Sequence, residues 1–216
     1  MNLFVLAAGM ALAGNLLAAE ATRFDPHPGS KVRIEGTSNI HDWQMEGKLI
    51  GGSIEAGENF PIEPGQAVTP GKVEAKVNVM IPVRSLNSIE SDGRPYKTSM
   101  DDRMYEAVRE PANRRIIYRA TELSIKEAPK TKDAPYQMDS KGELVVAGVT
   151  NQISMPIQVT PMGDRKLKIT GSTSVKMTAF KIDPPKIVLG AIKTGDDVKI
   201  MFEWIVQHRE PKAAAK

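Results

Sequence analysis

The sequence predicts an all-β protein, an antiparallel barrel of about eight strands with one short α-helix. Three observations predict it. Residues 72–83 alternate, with Val73, Ala75, Val77, Val79, Ile81 and Val83 on one face and Lys72, Glu74, Lys76, Asn78 and Met80 on the other. A period of two with one apolar face marks a strand that is wet on one side only. Similar segments recur along the chain between turn signals. Helical spacing occurs once, in Met100, Met104 and Val108. Long strands of this kind favour closure, because a barrel leaves no free edge.

The 216 residues suffice for one domain with a sizeable core, or at most two small ones. The chain has no cysteine, which excludes disulfides, thiolate metal sites, cysteine nucleophiles and a lipid anchor carried on cysteine. Net charge is +3, and basic and acidic residues are interspersed, so a solvated surface is expected rather than a nucleic-acid footprint. Some attraction to anionic membrane surfaces remains.

Leu3 to Ala19 is almost wholly apolar and small, and Ala-Glu-Ala at 19–21 resembles a signal-peptidase site. Residues 1–21 are therefore expected to be a secretory signal peptide, although Met1-Asn2-Leu3 lacks the usual basic start. Export would make the protein periplasmic or secreted. Residues 22–209 are expected to form the barrel and 210–216 a disordered tail.

Residues 23–30 hold two prolines and read as a lead-in. Strand material runs from Lys31 to about Ala56, with Gly51-Gly52 as a candidate kink. Residues 57–71 hold three prolines and three glycines and read as a loop before the 72–83 strand. Residues 84–97 read as a polar connection. In the helix, Ser99 is the expected N-cap with Asp102 as its capping-box partner, and Glu110-Pro111 stops it. Its apolar stripe is expected to pack over an open barrel end or edge.

Strands are expected at 115–126, with Tyr118 among their apolar residues, and then at 141–149 and 152–160 around Thr150-Asn151. Ile153, Met155, Ile157 and Val159 share the inward face of the latter, where Pro156 predicts an edge or a bulge. Leu167, Ile169, Gly171, Thr173, Val175 and Met177 make the next inward face. After a loop from Asp183 to Asp197, the last strand carries Val198, Ile200, Phe202, Trp204 and Val206.

One stretch organises the rest. Gly36-Thr37-Ser38-Asn39-Ile40-His41-Asp42-Trp43 lies between two alternating segments, and Ser38-Asn39 suits a bend. This octet resembles the opening motif of the YceI family. The resemblance continues at Gly148-Val149-Thr150, at Lys176-Met177-Thr178-Ala179-Phe180 with Pro184-Pro185, and at Ile192-Lys193-Thr194-Gly195-Asp196-Asp197-Val198. Together these motifs span about Ser30 to Gln207.

The resemblance implies an extended eight-stranded lipocalin-like barrel around an apolar tunnel, holding a polyisoprenoid or an isoprenoid quinone. It adds no other cofactor. The candidate lipid-binding residues are Trp43, Val77, Val79, Ile81, Tyr118, Ile153, Ile157, Ile169, Val175, Phe202 and Trp204, all on inward-reading faces. Lys193 and Thr194 are candidate neighbours of a polar head. Peripheral membrane contact and a homodimer are compatible with this reading. For Trp43 and Trp204, ordinary barrel core and tunnel wall predict the same pattern.

No catalytic constellation is evident, so no enzyme is expected. His27, His41 and His208 lie far apart and show no metal-ligand spacing, and His41 is expected to bond backbone near the bend. No phosphate-binding glycine loop or nucleophile elbow is present. The alternative to a lipid carrier is a ligand-free protein-interaction or stress-protective module whose barrel is filled by its own side chains.

Overall fold

A computed structural model describes residues 21–96, 99–187 and 190–210, with the side chain of Ile187 left out. The expected signal peptide, apart from Ala21, and residues 211–216 of the expected tail lie outside the described residues.

The strands are β1 (Thr22–Pro26), β2 (Lys31–Ser38), β3 (Trp43–Gly47), β4 (Gly51–Ala56), β5 (Gly71–Val73), β6 (Ala75–Pro82), β7 (Leu86–Ile89), β8 (Arg115–Glu127), β9 (Tyr136–Val146), β10 (Val149–Gly163), β11 (Lys166–Lys176), β12 (Lys186–Ile187) and β13 (Ile192–His208). One helix, α1 (Met100–Ala107), lies between β7 and β8. Three barrel strands are interrupted, β1 with β2, β3 with β4, and β5 with β6 and β7, while the two-residue β12 stands off the barrel path beside β13. Counted that way, eight antiparallel strands close into a barrel. β13 closes it by pairing with β11 on one side and with β2 and β1 on the other.

The alternation read from the sequence is the alternation in space. Val73, Val159, Leu167, Trp204 and Val206 are buried, and their neighbours along the strands are partly or fully exposed. Burying such side chains stabilises the fold by about 1.5–3 kcal/mol each.

Several local expectations are corrected. Thr22–Pro26 is a strand and not a lead-in: Phe24 is buried and pairs with Ile54 and His208. Leu86–Ile89 within the expected polar connection is also a strand, and pairs with β3. The β9–β10 turn is at Ala147-Gly148 and not at Thr150-Asn151. Both turn residues have positive φ (50° and 79°), as a two-residue hairpin matched to the strand twist requires. β13 starts at Ile192, before the expected position, because a bulge between Thr194 and Val198 lets it reach β2. Ser99 makes no side-chain cap bond, so the capping box with Asp102 is absent.

Pro156 causes no bulge in the β9 ladder, which runs unbroken past it. It does stand at an edge. Pairing with β11 begins at Ile157, one residue later. On that side β10 pairs with no strand from Val149 to Pro156 among the described residues.

Candidate functional site

The barrel has two unlike ends. At one, β1, β4, β6, β8, β9, β10, β11 and β13 form an unbroken ring, and the loop 57–70 covers it. Phe60 is buried there, and Tyr136 donates its hydroxyl to the Gln66 carbonyl at 2.7 Å. At the other end two seams open. β6 leaves β8 after Pro82 pairs with Arg115, and β10 parts from β11 beyond Ile157.

Two elements cover these seams. α1 lies over the first, held by Asp101, which accepts from the amide and hydroxyl of Ser88 at 2.6 Å each. Tyr105 donates to the Leu86 carbonyl, and Arg84 pairs with Glu110 at 2.9 Å. The turn at Thr178–Phe180 lies over the second, with Phe180 buried and Asn151 donating to the Ala179 carbonyl at 2.7 Å.

Between them is a cavity of about 450 Å³ with a mostly apolar wall. Ile34, Met45, Ile116, Val146, Val175 and Ile200 line it from the strands, Met100 and Met104 from α1, and Val108 from the cap at its end. The helical stripe therefore covers an open barrel end, as its spacing suggests. Arg103 is the lining residue with a fixed charge, and no carboxylate lines the cavity among the described residues.

The octet builds the rim. Trp43 pairs with Gly36 across β2 and β3, and its ring lies over the glycine. A methyl group on Gly36 would fall inside that ring. The Trp43 indole N–H donates to the Thr37 carbonyl at 3.1 Å. Ser38 closes the bend: its hydroxyl donates to the His41 carbonyl at 2.7 Å and accepts from the amides of Ile40 and His41. Asn39 fastens the rim to β13, donating to the Ala191 carbonyl and accepting from the Lys193 amide, each at 2.8 Å. Asp196 accepts from the Thr178 amide and hydroxyl, and these bonds lower its carboxyl pKa. Thus the motifs at 36–43, 148–150, 176–180 and 192–198 meet at the same end.

The predicted site residues divide accordingly. Trp43 and Val175 line the cavity, as does the head-group candidate Thr194; Ile34 and Met45 line it too and are not among the candidates. Ile169 and Trp204 are in the packed interior, at 5% and 2% exposure. Ile157 is buried beside Gly171 and outside the cavity lining. Tyr118 is buried with its hydroxyl 2.6 Å from that of Ser140, and its pKa is raised by burial. Val77, Val79, Ile81, Ile153 and Phe202 are partly buried against the core and do not line the cavity. Lys193 contributes backbone to the rim clamp.

Phe180, Ile182 and Ile116 are lining residues that strand patterning passed over. Phe180 belongs to the 176–180 motif, which was the available signal, and Ile182 lies between that motif and Pro184-Pro185. His41 sits at the rim, with Nδ1 at 2.8 Å from the Asp42 carbonyl and its ring edge-on to Tyr96. Among the described residues no group of three or more His, Asp and Glu side chains could hold a metal ion.

An eight-stranded barrel with an apolar cavity under a helix is the geometry of a small-molecule binding protein. The YceI-like domain description matches residues 29–205 of this chain. The chain belongs to the YceI family. Its fold is similar to that of a polyisoprenoid binding domain from Saccharophagus degradans, at a TM-score of 0.57 and 10% identity, covering 88% of this chain and 99% of that one. It is also similar to BcnA of Burkholderia cenocepacia, at a TM-score of 0.56 and 14% identity, covering 82% and 95%. No curated protein sequence matches the chain.

Proposed function

We propose that this protein is a periplasmic or secreted carrier that holds a long-chain isoprenoid lipid, a polyisoprenoid or an isoprenoid quinone, in the cavity beneath α1. The observation that carries the reading is the apolar cavity of about 450 Å³ at the end of the barrel where the family motifs meet. That volume is within the range of about 300–1,000 Å³ typical of ligand sites. Each CH2 group buried contributes about 0.8 kcal/mol, so ten of them supply roughly 8 kcal/mol before ordering costs. Such a ligand needs few polar contacts along its chain.

The structural neighbour described as a polyisoprenoid binding domain supports this ligand class. The apolar run at Leu3 to Ala19 supports export. The chain is read as a binding protein rather than an enzyme, and the lipid head is placed at the rim, near Thr194.

Organic-solvent extraction of the purified protein followed by mass spectrometry tests the reading. An isoprenoid lipid approaching one per chain is expected. Protein purified without detergent that yields no lipid, and binds none when offered, would favour the ligand-free module.

A further inference from the structure

Arg103 differs from the other shielded arginines. Among the described residues, Arg23, Arg33 and Arg103 are the arginines that are not exposed. Arg23 pairs with Asp25 and Glu55, and Arg33 pairs with Glu46. Arg103 has no carboxylate partner among the described residues. Its Nε donates to Ser99 Oγ at 3.3 Å, which leaves both Nη groups available.

The acids on its own helix do not serve it. Asp101 is engaged by Ser88, and Asp102 and Glu106 are exposed with no bond to Arg103. The other polar residues that line the cavity are Thr194 on β13, Ser38, Ser99, Tyr96 and His41, and none of them is a carboxylate.

Arg103 is partly covered and its Nε bond lies at the exposed rim, so its fork stands where the apolar wall meets water, a position that favours an anionic group over a neutral one. Among the described residues nothing lining the cavity supplies a counter-charge. The planar fork of arginine matches a phosphate or carboxylate through two parallel hydrogen bonds, and such charge-assisted bonds are roughly twice as strong as neutral ones. A quinone carbonyl would accept a hydrogen bond and leave the charge uncompensated.

We propose that the lipid held in this cavity carries an anionic head, a phosphate monoester or a carboxylate, which Arg103 grips at the rim while the chain lies along Ile34, Val175 and Ile200. The proposal rests on the carrier reading and narrows it from neutral isoprenoids to acidic ones.

The test uses delipidated full-length mature protein and three probes: farnesyl monophosphate, farnesol and inorganic phosphate. Binding is followed by calorimetry and by the fluorescence of Trp43, which lines the cavity. Farnesyl monophosphate is expected to bind at least about tenfold more tightly than farnesol, the step that one charge-assisted contact supplies. Arg103→Gln should erase that preference, bringing farnesyl monophosphate and farnesol to equal affinity when both are measured on the variant, with circular dichroism verifying the fold. Arg103→Lys should keep part of it, since the charge survives and the fork does not.

Equal affinities for the phosphate and the alcohol in the wild type would overturn the proposal. So would a preference that survives Arg103→Gln. Inorganic phosphate binding as tightly as farnesyl monophosphate would identify a free-anion site instead of a lipid-head site. A neutral isoprenoid extracted from the purified protein, with no preference for the phosphate, would overturn the anionic head and spare the carrier. If no lipid is extracted and neither farnesyl compound binds, the carrier reading itself fails.

Discussion

The two ends of this barrel are built from the same alternating strands and differ in what fills them. At the packed end, Tyr136, Val159, Leu167 and Val206 are wholly buried and Trp204 is 2% exposed. At the cavity end, Ile34, Val175 and Ile200 also face inward yet are only partly covered. The difference lies in the pairing. Every neighbouring pair of strands is hydrogen-bonded around the packed end. At the cavity end β7 has left β8, β10 has left β11, and a helix and a short turn cover the gaps. An opened seam widens the interior, and side chains of ordinary size no longer fill it. An inward-facing side chain is therefore not core by pattern alone.

The largest effect that would sharpen this contrast is expected from Trp204→Ala. Removing a large aromatic from the packed end should cost about 3–5 kcal/mol. At roughly 2–4 °C per kcal/mol for a domain of this size, Tm should fall by about 6–20 °C. Lipid held per folded chain should be nearly unchanged. A small Tm loss would mean that the packed end is not packed.

Gly36→Ala acts at the cavity end. The added methyl would occupy the place of the Trp43 ring, which must swing away from β2. Overpacking of this kind costs about 1–3 kcal/mol. Trp43 borders the cavity, so its fluorescence should shift and lipid retention should fall as well. Unchanged fluorescence would contradict the stacking described here.

The smallest effect concerns Glu122 on the outer wall, which bridges strands through Lys72 and Lys141. The Lys141 and Lys72 hydrogen bonds lower its carboxyl pKa to about 2. Since the folded value lies below the unfolded one, the stabilisation is present above about pH 4.5 and is lost as pH falls toward 2. The wild type should therefore exceed Glu122→Gln in Tm near neutrality, and the gap should close across that window. The pair is exposed, so the gap should be small and shrink with added salt. A gap that widens on acidification would contradict the assignment.

Much of the wall was legible because period-two alternation survives folding: Val77, Val79 and Ile81 face inward as their spacing requires. Two short strands were not legible. Pro26 and Pro28 disguise β1, and β7 buries Ser88, a polar residue whose hydroxyl is satisfied by Asp101. Ala147 carries no turn signal, yet adopts positive φ. At the site, Trp43 and Val175 could be named in advance because the octet and the strand pattern marked them. Nothing in the pattern separates Val175 from Ile157 or Trp204, since the seam that distinguishes them is a property of pairing between distant segments. The place of Arg103 depends on which gap α1 covers, which no local spacing reports.

The central claim is that one end of the barrel holds ligand and the other is core. The most direct measurement is lipid retained per chain in Val175→Trp, with Tm of the delipidated protein recorded beside it and Ile157→Trp as the partner variant. The indole at 175 has cavity to enter, so Val175→Trp should lose most of its lipid and keep a Tm close to the wild type. At Ile157 the same bulk meets packed neighbours, so stability should fall by about 1–3 kcal/mol while folded chains keep their lipid. A Val175→Trp protein that melts far below the wild type yet retains its lipid would contradict the account.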